Sequence, residues 1–156
     1  LESLPIGIDE PINFFIAVGD IDLRKKIYHN INMTFKNAIF PAVISPDCVL
    51  YPECSIKEGV VILAGSVIGP NSRIDKFSII NHSVTVDHDS SIGEFCNISP
   101  QVAIAGNVTI GDSTFVGIGA SVSNGVKVCS NSIIGAATFL DFDLNKPTKY
   151  LGKHKL

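Results

Sequence analysis

Aliphatic residues recur at every sixth position over most of the chain. The track begins at Ile44 and runs through Leu50, Ile56, Ile62, Ile68, Ile74, Ile80, Val86, Ile92, Ile98, Ile104, Ile110, Val116, Val122, Val128 and Ile134 to Leu140, without an insertion. Four residues after each of these lies a small or β-branched residue, from Cys48 and Cys54 through Ser66, Val84 and Cys96 to Thr138. An α-helix cannot keep a six-residue stripe, because its period is about 3.6. Hairpins would break the spacing with turns of changing length. A fixed period of six, with Gly, Asn, Asp and Pro between, predicts a solenoid of very short strands and tight corners. Three hexads make one triangular coil, so residues 18 apart stack on one face. The aliphatic track fills the interior, and the second track leaves room where the chain turns. Cys48, Cys54 and Cys96 fall on that second track and are predicted to be buried, reduced core residues.

Both ends of such a solenoid expose strand edges that need covering, and the flanking segments are expected to supply the caps. Ile12-Asn13-Phe14-Phe15-Ile16-Ala17-Val18 reads as a buried strand. Gly19-Asp20 turns into a helix over Ile21–Tyr28 with Asp20 as its N-cap, and residues 37–40 read as another short strand. The predicted class is mainly β: a parallel β-helix of six-residue repeats over 42–140, preceded by a partial α/β unit in 1–41 and followed by a polar tail, 141–156.

Composition narrows the function classes. Hydrophobic residues make up 46% and charged residues 17%, a globular balance. The formal net charge of −3 does not favour nucleic acid or an anionic membrane. No apolar run approaches the roughly 20 residues of a membrane-spanning helix, and no secretory signal pattern is present. A cytoplasmic protein with no nucleic-acid or membrane partner is expected. The four cysteines contain no C-x-x-C pair.

The 18-residue stacking rule sorts the candidate chemistry. His88 follows the core position Val86 by two and lies in a column with Pro70, Gly106 and Asn124, on an outward corner. Asp89 lies in a column with Asn71, Asn107 and Gly125, while Asn81 and His82 belong to the preceding hexad. An imidazole accepts a proton near neutral pH, and a neighbouring carboxylate fixes its tautomer and stabilises the imidazolium. Gly106 is expected to let a ligand approach the backbone closely. From the residues alone, His88 is either a general base or a solvated corner histidine. His82 and His88 lack a third ligand at a compatible position, so no metal site is expected.

The stretch from Ile79-Ile80-Asn81-His82 through Val86-Asp87-His88-Asp89 to Ile92-Gly93 resembles the sialic acid O-acetyltransferase family, which includes N-acetyltransferases of UDP- and GDP-linked amino sugars. Ala105-Gly106-Asn107-Val108-Thr109-Ile110-Gly111 and Phe115-Val116-Gly117-Ile118-Gly119-Ala120 continue the likeness, as do Ile16-Ala17-Val18-Gly19-Asp20 and Leu23-Arg24-Lys25-Lys26-Ile27. The resemblance implies a left-handed solenoid, with residues 1–41 the remnant of an N-terminal α/β sugar-nucleotide-binding domain. It implies a homotrimer with sites between adjacent prisms, acetyl-CoA as cosubstrate, and a sugar or sugar nucleotide as acceptor. His88 would be the base, Asp89 its orienting partner, and Asn81 a residue that positions the acceptor. The coenzyme would lie past Gly106, Ile118 and Gly119 toward Gly135 and Ala136. Where the family often has a second histidine, nine residues after the first, Asn97 stands here and is expected to bind substrate. The usual Gly-x-Pro-Ala ending is absent, and Lys146, Lys149, Lys153 and Lys155 are expected to face the coenzyme's phosphates. A metal-dependent hydratase on the same scaffold and a non-catalytic structural solenoid are the alternative readings.

Overall fold

A computed structural model describes residues 10–152; Lys153, His154 and Lys155 lie outside the described residues. The six-residue tracks become two-residue strands, each followed by a four-residue corner, stacked in parallel into three sheets. The first face holds seven strands, among them Val61–Ile62, Ile79–Ile80, Asn97–Ile98 and Phe115–Val116. The second holds six, including Val67–Ile68, Thr85–Val86, Ala103–Ile104 and Ser121–Val122. The third holds five, from Ser55–Ile56 to Lys127–Val128. Register is offset by one coil throughout, as in Thr85 opposite Val67 and Ala103.

The second residue of each strand points inward. From Ile62 to Leu140 every one of these aliphatic side chains is buried, each contributing about 1.5–3 kcal/mol by leaving water. Small polar residues at the corners are buried too, and those on the second track use their hydroxyls. Ser90 Oγ, for example, donates to the Ala105 carbonyl and accepts from the Val108 N–H. From Leu50 to Ile134 the third residue after each inner aliphatic turns the corner in the left-handed region: Asn71, Phe77, Ser83 and Asp89 all have φ of 57°. Short polar side chains tolerate that region best. At Gly59 the demand is double, since φ is 66° and a Cβ would lie 2.3 Å from the Phe77 ring.

The segment ahead of the solenoid departs from the expected buried strand. Only Ile12–Asn13 pairs, in parallel, with Ala38–Ile39. Residues 14–18 stay irregular: Ile16 is buried and Phe15 is largely exposed. The helix Ile21–Thr34 is longer than expected, and its cap is as expected, with Asp20 Oδ1 accepting from the Leu23 N–H at 2.8 Å. The unit packs sideways, not endwise. Tyr28 and Phe40 meet Phe77 and Phe95, whose rings stack 5.1 Å apart at the corner between the third and first faces.

The expected N-terminal cap is therefore not formed by the described residues. Ile44 and Leu50, on the inner track of the first coil, remain 38% exposed. The other end is covered. Leu144 bridges to Val128, and Lys149–Tyr150 pairs with Ile133–Ile134, so part of the expected polar tail extends the solenoid.

All four cysteines are free, but burial of the predicted three is uneven: Cys96 is sealed inside, whereas Cys48 and Cys54 beside the open coil are half-buried. Burial pushes the Cys96 thiol up to about 12. In native buffer at pH 8, a thiol reagent should label Cys48, Cys54 and Cys129 and spare Cys96 until denaturant is added. Labelling of Cys96 at the rate of the others would show that the core register is wrong.

Candidate active site

His88 sits at the corner that carries the chain from the second face to the third. The residue is fixed by three contacts, two to its ring and one to its backbone. Nδ1 lies 2.8 Å from Asp89 Oδ2. The Asp87 carboxylate accepts from the His88 backbone N–H at 2.8 Å, which fixes the turn. The ring itself lies over Gly106, one coil up, where a Cβ would fall 2.5 Å from Nε2 and 2.6 Å from Cε1. The expected use of Gly106 is thus revised: the space left by its missing side chain is filled by the imidazole. Asn124 then donates from Nδ2 to the Gly106 carbonyl at 2.7 Å, continuing the column.

Asp89 turns the corner at φ 57° and is tied from below by Asn71, whose Nδ2 donates to Oδ1 at 3.2 Å. The carboxylate so divided has Oδ2 for the imidazole and Oδ1 for the amide. The hydrogen bond to Asp89 raises the His88 pKa above its ordinary 6.5, with the charges of Asp87 and Asp89 acting the same way and slight burial opposing them. The bond to His88, then that from Asn71, lowers the Asp89 carboxyl. Both side chains are about half exposed. With Nδ1–H directed to the carboxylate, Nε2 is the nitrogen left to accept a proton.

The other sequence candidates lie elsewhere on the prism. Asn81, Ile118, Gly119, Gly135 and Ala136 belong to the corner between the first and second faces, across the second face from His88. Ile118 is exposed and a Cβ on Gly119 would meet nothing within 4 Å, so that stretch is open to a ligand. Gly135 is not, because Leu151 packs 3.0 Å from where its Cβ would be. Asn97 projects from the first face and its Nδ2 donates to the Gly19 carbonyl at 2.8 Å. A largely apolar groove of about 550 Å³ runs along that face between the segment 14–19 and Val43, Val61, Leu63 and Ile79, with Asn81 at its rim. Among the described residues, no three His, Cys, Asp or Glu side chains converge as a metal site, and no helix is long and apolar enough to cross a membrane.

Sequence reasoning passed over Asp87, Asn71 as a ligand of Asp89, and Arg24. The first two were within reach: Asp87 adjoins the histidine, and Asn71 is 18 residues before Asp89. Arg24 had no such signal, because its partners are main-chain carbonyls.

Comparison with known proteins bears on this geometry. Residues 65–100 match the family model for the bacterial transferase hexapeptide (six repeats). Among solved structures, the chain is similar to PerB from Caulobacter crescentus in complex with CoA and GDP-perosamine, at 34% identity and TM-score 0.82, over 88% of this chain and 64% of that one. A mutant of the perosamine N-acetyltransferase from Caulobacter crescentus with asparagine in place of a histidine, also with CoA and GDP-perosamine, gives 33% identity and TM-score 0.81 over 88% and 63%. The acetyltransferase domain of PglB from Neisseria gonorrhoeae gives 28% identity and TM-score 0.84 over 92% and 69%. The chain spans a little under two thirds of the first of these proteins. The matches agree with the resemblance read from the sequence.

The site makes a prediction of its own. In an NMR titration the His88 ring should protonate with a midpoint above 6.5. Asp89→Asn removes the negative acceptor that favours the imidazolium, so the midpoint should move down toward 6.5. A midpoint that stays put in that variant would mean that the pair is not coupled in solution.

Proposed function

We propose that this chain, a hexapeptide-repeat solenoid similar to sugar N-acetyltransferases, transfers an acetyl group from acetyl-CoA to an amino or hydroxyl group of a bacterial sugar or sugar nucleotide. The observation that carries the reading is the His88–Asp89 pair over Gly106: one imidazole nitrogen is committed to a carboxylate, and the other is left for a substrate proton. Structures similar to this chain are of proteins that bind CoA and GDP-perosamine, and one carries an asparagine in place of a histidine.

The chemistry is direct transfer. The acceptor nitrogen or oxygen attacks the thioester carbonyl as His88 Nε2 takes its proton. The tetrahedral intermediate collapses by breaking the carbon–sulfur bond, and the proton held on His88 goes to the departing coenzyme thiolate. Asp89 stabilises the imidazolium between the two steps. Corner backbone N–H groups supply the contact to the developing oxyanion. No acyl-enzyme is required, which agrees with the free cysteines standing apart from His88.

The active assembly is a homotrimer. His88 and Asn81 lie on opposite edges of the second face; in the trimer the His88 corner of one prism meets the Asn81 corner of the next. Ile118, Gly119 and Ala136 line the coenzyme's path along that second corner, and the apolar groove ending at Asn81 receives the acceptor. The helix Ile21–Thr34 and the paired strands Ile12–Asn13 and Ala38–Ile39 belong to a unit that binds the sugar nucleotide.

The test uses acetyl-CoA with a panel of amino-sugar nucleotides. His88→Ala should lower kcat by about 10²–10⁴-fold, the usual contribution of a positioned base. The variant should remain trimeric by light scattering and keep its affinity for acetyl-CoA, since it leaves no core cavity. Asp89→Asn should cost less. A His88→Ala protein turning over near the wild-type rate would refute the assignment of the base, and a wild-type protein that stays monomeric at micromolar concentration would refute the shared site.

A further inference from the structure

Arg24 is the largest buried side chain in the molecule's described part, and it faces no carboxylate partner. It is 1% exposed. Its guanidinium instead gathers five main-chain carbonyls. Nε donates to Phe77 O at 2.9 Å, and Nη2 to Phe95 O at 3.0 Å and Cys96 O at 3.1 Å, all on the solenoid. Nη1 donates to Val18 O at 2.7 Å and Gly19 O at 3.0 Å, both on the segment leading into the helix. Each carbonyl offers two lone pairs, and Gly19 uses its second: Asn97 Nδ2 donates to the same oxygen at 2.8 Å, from the first face. One carbonyl is thus gripped by the helix and by the solenoid together. The segment it belongs to, Phe14 to Gly19, forms one wall of the apolar groove, and the opposite wall is the first face itself.

Beyond the pairing that ends with Phe14 N–H to Ile39 O, that segment forms no strand. Phe14, Ile16 and Val18 pack into one apolar cluster with Ile31, Phe40 and Phe77. At its far end the main chain is held by the side-chain donors that reach Val18 and Gly19, and the spacing of the two walls there depends on them.

We propose that Arg24 and Asn97 are positioning residues which, by clamping the Gly19 carbonyl, fix the width of the groove and so set the affinity for the acceptor sugar. The inference rests on the acceptor occupying that groove. It assigns to Asn97 a role different from the direct substrate contact expected from the sequence: its donor is already engaged with the main chain. Lysine cannot reproduce this role, because one nitrogen with three protons cannot serve all five carbonyls.

Asn97→Asp is the informative variant, since it keeps the shape and removes the donor. Expected are a rise in acceptor KM of about tenfold and faster hydrogen exchange at the Leu23 and Arg24 amides of the first helical turn. The kcat at saturating acceptor and the KM for acetyl-CoA should not change. Asn97→His, which restores an N–H, should recover part of the loss. Arg24→Lys should act in the same direction more strongly; if that protein fails to fold, the Asn97 series decides alone. An unchanged acceptor KM with unchanged exchange overturns the clamp, and so does a fall in kcat with acceptor KM preserved, which would place Asn97 at the reacting atoms. If the wild type acetylates no sugar, the proposed function fails, and the exchange measurement still judges whether Asn97 holds the segment. Faster exchange without any effect on acceptor KM in an active enzyme would overturn the link to the groove.

Discussion

Everything in this molecule hangs on the main-chain ladder between coils. Thr85 N–H reaches Val102 O, Ser91 N–H reaches Val108 O, and Asn97 N–H reaches Thr114 O, each spanning 17 residues. Because consecutive strands of the solenoid never pair with each other, no local hairpin can form first and no turn can correct a slip. A single inserted residue would shift every later side chain from interior to exterior or misalign a corner. The unbroken six-residue track is the sequence-level expression of that constraint. The same ladder is what makes an 18-residue separation a statement about space, so that Asn71, Asp89 and Asn107, or Pro70, His88 and Gly106, are vertical neighbours before any side chain is considered.

Chemistry on such a scaffold is assembled from columns. His88 owes its placement to Gly106 above and Asp89 beside it, and Asp89 owes its orientation to Asn71 below. Only the His88–Asp89 contact lies within one corner; the rest of the support comes from the coils above and below it. A rigid ladder thus acts as the outer support that a positioned base requires. The pair is still half exposed in one chain, so a second surface must close over it before electrostatic effects there gain strength.

How much of this was legible beforehand follows from the same physics. The interior was readable because a period of six admits no other regular structure, and the corner residues His88 and Asp89 were readable because stacking is arithmetic. The N-terminal unit was read less well. Its packing depends on Phe77 and Phe95, corner residues that the repeat alone marks only as turns, and on Arg24, whose acceptors are carbonyls common to every residue. The burial of Cys48 and Cys54 was overestimated because the track records which way a side chain points and not whether a further coil lies beneath it. Gly106 stood out as a place where a side chain is not wanted, and the structure shows a ring of the same chain lying against it. The coenzyme positions divided similarly, Gly119 lying open and Gly135 lying under Leu151.

The uneven ends give the solenoid a direction. At one end Leu144 and Tyr150 close over the last coil, while at the other Ile44 and Leu50, on the inner track, stay partly exposed, with no further coil beneath them among the described residues. In a structure where each coil touches only its neighbours, loss of order propagates like a zip from whichever terminus is weaker. Fraying here starts at the first coil and must pass through two coils before it meets the layer that carries His88. That layer is thereby insulated by sacrificial coils, and a gradient of local stability runs along the prism axis although the sequence repeats along it almost without change.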